Sequence, residues 1–269
     1  MSGLKDDEIQ WRIRNYRLLD NEFMLQVFSG RPDLVEHLLS VILEDDTLHV
    51  ISVTTDSYLG NLKGHAARLD IRAEDKNKKQ YDIEVQRYDT PVMKKRARYY
   101  SSLIDINALE KDKEYDCLPE SFVIFITEHD YFKAGEPVYN IERTNIQIGV
   151  PFRDGEHILF VNASYIGDDP IGSLMNDFRV SDPSEMNSNQ LAEVVRYFKE
   201  DEKGVQIMTG TIKELFDEGM EEGIQQGIEQ GIEQERTRTI LSLLSKLSKE
   251  DLLSLGYTAT EIENAISTN

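Results

Sequence analysis

A chain of 269 residues, 39% hydrophobic and 30% charged, is long enough for one sizeable core plus an appendage, and its longest clearly apolar run, Phe122 to Ile126, is far too short to cross a bilayer. A net charge of −20 excludes a protein that coats nucleic acid by bulk attraction. The single cysteine, Cys117, excludes an internal disulfide, and with the polar, acidic opening MSGLKDDEIQW it sets the expectation of a cytoplasmic protein with no signal peptide and no membrane partner.

In chain order, Trp11 and Tyr16 fall in a short first helix. Between Asp20 and Leu43 apolar residues recur at helical spacing, with a break at Gly30-Arg31-Pro32. Leu48 to Thr55 alternates as a strand. Gly60-Asn61-Leu62-Lys63-Gly64 lacks the spacing of a phosphate loop and reads as a flexible connection. His65 is one of five scattered histidines; no H-E-x-x-H pair or cysteine cluster exists, which argues against zinc.

The stretch from Arg68 to Tyr100 carries the most information. Arg68, Asp70 and Arg72 alternate with Leu69, Ile71 and Ala73, a polar turn follows from Asp75 to Lys79, and Tyr81, Ile83 and Val85 then alternate with Asp82, Glu84 and Gln86. This is the pattern of a β-hairpin. With its loop centred on Asn77, Asp70 faces Glu84, Arg68 faces Gln86 and Arg72 faces Asp82. Like charges directly opposed on an antiparallel pair are destabilising, so the two acids need a counter-charge. Arginine neighbours supply one answer and a hard divalent cation the other. From Lys63 to Arg98 there are eleven Lys or Arg against six Asp or Glu, a local +5 that leaves −25 for the rest of the chain. Such a run reads either as a solvated face or as a rim that steers phosphate toward the acids.

Thr90-Pro91 has the form of an N-cap followed by proline at the first helical position. Met93, Ala97, Tyr100, Ile104 and Ala108 then mark one helix face, and Lys94, Lys95 and Arg98 lie largely on another. Arg96 and Tyr100, four apart, are neighbours, so an Arg stacked on a structural Tyr stands beside a direct role in the chemistry. Phe122 to Thr127 reads as a central strand buried on both faces. Further strand-like pieces fall near Val138 to Arg143, Ile146 to Val150 and His157 to Ala163. Helices follow from Asp169-Pro170 through Phe178 and from about Gln190 to Lys199. A mixed α/β domain over residues 1–203 is expected.

Residues 204–269 differ in character. Gly219, Gly223, Gly227 and Gly231 recur every four residues, with Ile224, Ile228 and Ile232 after the last three. Each glycine costs a helix up to about 1 kcal/mol relative to alanine, so the segment is either a helix packed closely on a second copy, a homo-oligomer contact, or an acidic linker. Leu241 to Leu247 and Ile262 to Ile266 suggest a small helical cap.

Asp70, a spacer, and Glu84-Val85-Gln86 resemble the PD-(D/E)XK nuclease superfamily. The order of LDI, IEVQ and then Arg96-x-x-x-Tyr100 resembles, more narrowly, the Rpn family of recombination-promoting nucleases, also labelled putative transposases. The resemblance implies the αβββαβ core of a restriction-endonuclease-like mixed sheet flanked by helices. It also implies a DNA endonuclease with little sequence specificity, linked to recombination or transposition. Asp70, Glu84 and the carbonyl of Val85 would hold Mg²⁺ or Mn²⁺, and Gln86, where the superfamily has Lys, would position water as a third catalytic residue. Lys94, Lys95 and Arg98, with Arg96 and Tyr100, would engage DNA. A helix before the core often adds an acid, for which Glu36 is the candidate, although Met24 or Leu25 stands where the opening motif usually has Lys. Hydrolysis of RNA at the same site, and a non-catalytic binding or assembly module, are the rival readings.

Overall fold

The structure, a computed structural model, describes residues 5–59, 67–88 and 90–267. The Gly60–Gly64 loop and His65 therefore lie outside the described residues. By contacts the chain divides into two compact units, the first running through Thr209 and the second from Gly210.

In the first unit three helices, α1 (Asp6–Asn15), α2 (Asn21–Phe28) and α3 (Pro32–Leu43), precede the sheet. Strands β1 (Val50–Leu59), β2 (Ala67–Asp75) and β3 (Gln80–Gln86) form an antiparallel meander. Helix α4 (Met93–Ala108) then crosses over to β4 (Ser121–Thr127), which pairs parallel with β3. After β5 (Val138–Ile141), β6 (Thr144–Asn145) and β7 (Val150–Pro151), strand β8 (Glu156–Asn162) returns parallel to β4, with β5 antiparallel on its far side. The six-stranded order is β1-β2-β3-β4-β8-β5. Helices α5 (Pro170–Arg179) and α6 (Asn189–Glu200) close the unit.

The hairpin register has the expected centre: Arg72 pairs with Asp82 and Ile71 with Ile83. The turn is closed by Asp75, whose Oδ1 accepts the N–H groups of Asn77 and Lys79, while Lys78 takes the left-handed conformation at φ 68°. Strand β2 alternates in burial as its sequence does, but β3 is buried on both faces through Val85. The reason is α4. Its Met93, Ala97, Tyr100 and Ile104 pack with Val123 and Phe125 of β4, and those two residues pair with Asp82 and Glu84. Paired strand residues share a face, so the acids of β3 lie under the helix and not in solvent.

Two local expectations are corrected and one open choice is resolved. Helix α4 begins at Met93 with Val92 in the N-cap position, and Thr90-Pro91 forms the preceding turn, Thr90 accepting the Met93 N–H. Ile146 to Gly149 is the turn between β6 and β7, stabilised by a Gly149 N–H to Asn145 carbonyl bond, and not a strand. The segment of residues 202–244 is helical throughout, as α7 (Glu202–Leu244).

In the second unit the end of α7 folds onto α8 (Lys249–Ser254) and α9 (Ala259–Ser267), where Ile240, Leu252, Ile262 and Ala265 form a small core. Ser248 and Asp251 make a reciprocal capping box at the start of α8. Upstream of that core Ile224, Ile228 and Ile232 are exposed, and a Cβ at Gly219, Gly223, Gly227 or Gly231 would meet nothing within 4 Å. Among the described residues no helix is long and apolar enough to cross a membrane.

Candidate active site

The site begins with an irregularity in the sheet. The β1–β2 ladder contains the pairs Thr55–Ile71 and Ser57–Leu69 but skips Asp56–Asp70. Asp56 takes the left-handed conformation at φ 57° and is held by Arg68 through a two-point ion pair. A left-handed residue turns its N–H and C=O out of the ladder, and Asp tolerates that conformation better than most side chains. On its other side β2 stops pairing with β3 after Ile71–Ile83. Asp70 thus stands where β2 parts from β3 and its ladder with β1 is interrupted by one pair before resuming at Ser57–Leu69.

The two acids satisfy the backbone groups this releases. The Asp70 N–H donates to Glu84 Oε1 at 3.0 Å, and the Val85 N–H donates to Asp70 Oδ2 at 3.2 Å. Each carboxylate caps the strand that carries the other. Since the N–H and C=O of a strand residue point to the same side, the Val85 carbonyl also faces the gap beside β2.

Four groups complete the cluster. Arg96, reaching in from α4, forms a short ion pair with Glu84 Oε2, donates to Gln86 Oε1 at 2.9 Å and to the Tyr100 hydroxyl at 2.8 Å, and lies over the Tyr100 and Phe125 rings. Gln86 is thereby oriented with its amide oxygen toward Arg96, leaving its N–H donors for other partners. The Asn21 side chain, at the start of α2, hydrogen-bonds to Asp70. Asp82, on the same face of β3 as Glu84, is fully buried and neither of its carboxylate oxygens has a hydrogen-bond partner.

Burial dominates the electrostatics. It pushes Asp70 up to about 6, against the Val85 N–H and the Arg96 charge, which pull the other way. It pushes Glu84 up to about 8, with the Asp70 charge adding to the rise and Arg96 opposing it. Asp82 is raised well above the usual carboxylate range, first by burial and then by Glu84 and Asp70. The Arg96 charge opposes the rise at all three carboxyls, joined at Asp82 by Arg72.

Of the residues picked out from sequence, Asp70, Glu84, Val85, Gln86, Arg96 and Tyr100 come together. Lys94, Lys95 and Arg98 are exposed on the outer face of α4, where Lys94 sits over the Tyr131 and Phe132 rings, and none of the three joins the acid cluster. Glu36 is not brought to the site. Its Oε2 accepts from the Val50 N–H and meets His49 at the start of β1, which pairs with Asp75, five residues and roughly 16 Å along β2 from Asp70. Sequence reasoning missed Asp82, treating it only as the residue opposite Arg72; its parity with Glu84 on a strand covered by α4 was the available signal. Asn21 gave no signal, because its neighbour Asp70 is distant in sequence.

Among the described residues no three His, Cys, Asp or Glu side chains already form a cation cage. The donors nevertheless suit a hard divalent ion in kind: they are all oxygens, and the three buried side-chain atoms without a partner, Asn21 Oδ1 and both Asp82 oxygens, are all acceptors.

No curated protein and no solved structure matches the chain. A family model described as PD-(D/E)XK nuclease family transposase matches residues 29–166, a span that begins at the end of α2 and contains β1 through β8 with the acid cluster. The chain belongs to that family.

Proposed function

We propose that the protein is a divalent-metal-dependent endonuclease that hydrolyses phosphodiester bonds in DNA with little sequence preference. The observation that supports this reading is the reciprocal capping of Asp70 and Glu84 at the point where β2 parts from β3, which holds a half-buried and a fully buried carboxylate together at a gap in the sheet. Asp70, Glu84 and the Val85 carbonyl would hold Mg²⁺ or Mn²⁺. Bound there, such an ion polarises a phosphate oxygen and lowers the pKa of a water ligand. Arg96 balances Glu84 and sets the Gln86 rotamer; Gln86, unable to act as a base or a cation, offers its amide hydrogens to orient water or a phosphate oxygen. Lys94, Lys95 and Arg98, solvated and outside the cluster, serve as backbone-phosphate contacts, which position DNA without reading sequence. The test is nicking of supercoiled plasmid in Mg²⁺ by wild type, Asp70→Ala and Glu84→Ala. Loss of nicking in both variants is expected, and cleavage at wild-type rate by either removes that residue from the chemistry.

The assembly reading is favoured by one separate observation, the exposed Ile224, Ile228 and Ile232 stripe beside open glycines on α7. We infer that a second copy of the chain covers it. Light scattering on the full chain should give a multiple of the 31.0 kDa monomer, reverting to monomer when all three isoleucines are changed to serine; an unchanged mass in the triple variant rejects the contact.

A further inference from the structure

Beside the acid cluster lies a cleft of about 350 Å³ that the proposed chemistry does not use, bounded by Trp11, Arg12, Tyr16, Asp20 and Arg87. It adjoins the cluster through two peptide links. Asp20 precedes Asn21, which bonds Asp70, and Arg87 follows Gln86. Consecutive Cα atoms are about 3.8 Å apart, so the backbone that lines the cleft runs directly into the backbone that carries the cluster.

Its walls are rigid and its charges are balanced. Arg87 joins Asp20 at 2.7 Å and Glu128 at 3.1 Å, and Arg17 joins Glu128 at 2.9 Å while its N–H donates to Asp20 at 2.7 Å. This closed ring of two arginines and two acids ties the α1–α2 turn to the ends of β3 and β4. A neutral ring is a poor phosphate trap. It does present guanidinium planes at fixed positions beside Trp11, the one tryptophan of the chain, which is 65% exposed. A planar apolar surface flanked by fixed donors suits a nucleobase, and the volume, near the lower end of ligand pockets at roughly 300–1,000 Å³, has room for one nucleotide and not for a duplex.

We propose that the cleft between Trp11 and Arg87 takes the base of an unpaired nucleotide adjacent to the scissile phosphate, so that the protein prefers single-stranded or frayed DNA to intact duplex. The word scissile rests on the nuclease reading; the binding step does not. A base inside a duplex has no free face to stack, whereas a splayed base gains one from tryptophan.

The experiment follows Trp11 fluorescence in the full-length protein with EDTA present, titrated with a thymidine 12-mer and with a duplex of the same length. Saturable quenching by the single strand at concentrations at least 10-fold below those needed for the duplex is expected. Anisotropy of a labelled 12-mer should show Trp11→Ala weakening binding by roughly 5- to 150-fold, the range for one lost stacked base, with Trp11→Phe within about 3-fold of wild type. The loss should be the same at 50 and 200 mM salt, because no phosphate contact is removed. Equal quenching by duplex, no quenching, or unchanged affinity in Trp11→Ala overturns the inference even if plasmid nicking is normal. Quenching as expected from a protein that never nicks DNA supports the cleft and rejects the nuclease reading alone.

Discussion

Asp82 offers the sharpest test of the electrostatic account, because replacing it by a smaller-polarity side chain should make the protein more stable. It is fully buried between Arg72 of β2 and Val123 of β4, and both carboxylate oxygens lack a partner. Leaving a buried polar group unsatisfied costs about 1–3 kcal/mol. Asp82→Val removes that cost and adds a β-branched side chain at a buried strand position paired with Val123. The expected gain is about 1–3 kcal/mol, or about 2–12 °C in Tm at the roughly 2–4 °C per kcal/mol of a domain this size. The sign with pH follows from linkage. The folded-state pKa of Asp82 is raised above the unfolded value of 3.8, so the folded state holds its proton longer, and the part of the penalty that comes from burying the charge is absent below about pH 4 and grows as pH rises. The advantage of Asp82→Val should therefore be larger at pH 8 than at pH 5. Urea denaturation at the two pH values, with the m-value checked for constancy, measures it. A variant destabilised by more than 1 kcal/mol, or an advantage that shrinks as pH rises, would refute the reasoning.

Three other outcomes are expected. Arg96→Met should destabilise the protein by about 3–5 kcal/mol by leaving Glu84 buried without its counter-ion, and in the Glu84→Gln background the same change should cost far less; additive costs in the cycle would show that the pair is not coupled. Mg²⁺ at 100 times its dissociation constant should stabilise the wild type by about 2.7 kcal/mol, and Asp70→Asn should abolish the shift; an equal shift in the variant would place the ion elsewhere. Lys199 donates to the carbonyls of Arg14, Tyr16 and Ser181, and burial lowers its pKa from 10.5 to about 8. The folded state then binds fewer protons than the unfolded one between pH 8 and 10.5, stability from this group rises across that window, and the roughly 1–3 kcal/mol cost of Lys199→Met should grow from pH 8 to pH 10 when compared with wild type by chemical denaturation.

What the sequence made legible was whatever two-residue and four-residue periods encode. The hairpin centre, the buried β4 and the α4 face followed from alternation and helical spacing, and from these the contact of Asp70 with Glu84 followed by arithmetic on residue numbers; the same arithmetic failed for Arg68 and Gln86, because the ladder ends at Ile71–Ile83 and Arg68 pairs with Tyr58 of β1 instead. What it hid depends on chain segments far apart. That β3 is covered on both faces requires knowing where α4 lands, and this turned Asp82 from a solvated acid into a buried one. The exposed position of Lys94, Lys95 and Arg98 and the inward reach of Arg96 depend on one helical rotation, which composition cannot set. Glu36 was chosen because it is an acid on the right helix, but α3 meets the opposite end of β1 from the gap in the sheet.

The distribution of broken rules argues that the gap is a working feature of the molecule. At several other places local chemistry is satisfied: Asp169 and Ser188 cap α5 and α6, Ser248 and Asp251 box α8, and Asp75 closes the hairpin. Around Asp70 four exceptions coincide, namely a left-handed Asp56 inside a strand, a ladder pair skipped, a half-buried and a buried acid capping each other's strands, and a third acid with no partner. A left-handed residue alone costs on the order of 1 kcal/mol, and the buried unpaired acid costs more. A purely structural purpose would be served by a salt bridge, and Arg96 already provides one for Glu84. The bonds to Glu84, Gln86 and Tyr100 use three of the five N–H donors of the guanidinium, and neither Asp82 nor the Asn21 oxygen receives a hydrogen bond from the remaining two. Acceptors in excess of donors at a gap in a sheet fit the cation site proposed above better than they fit packing, which apolar side chains would serve at lower cost.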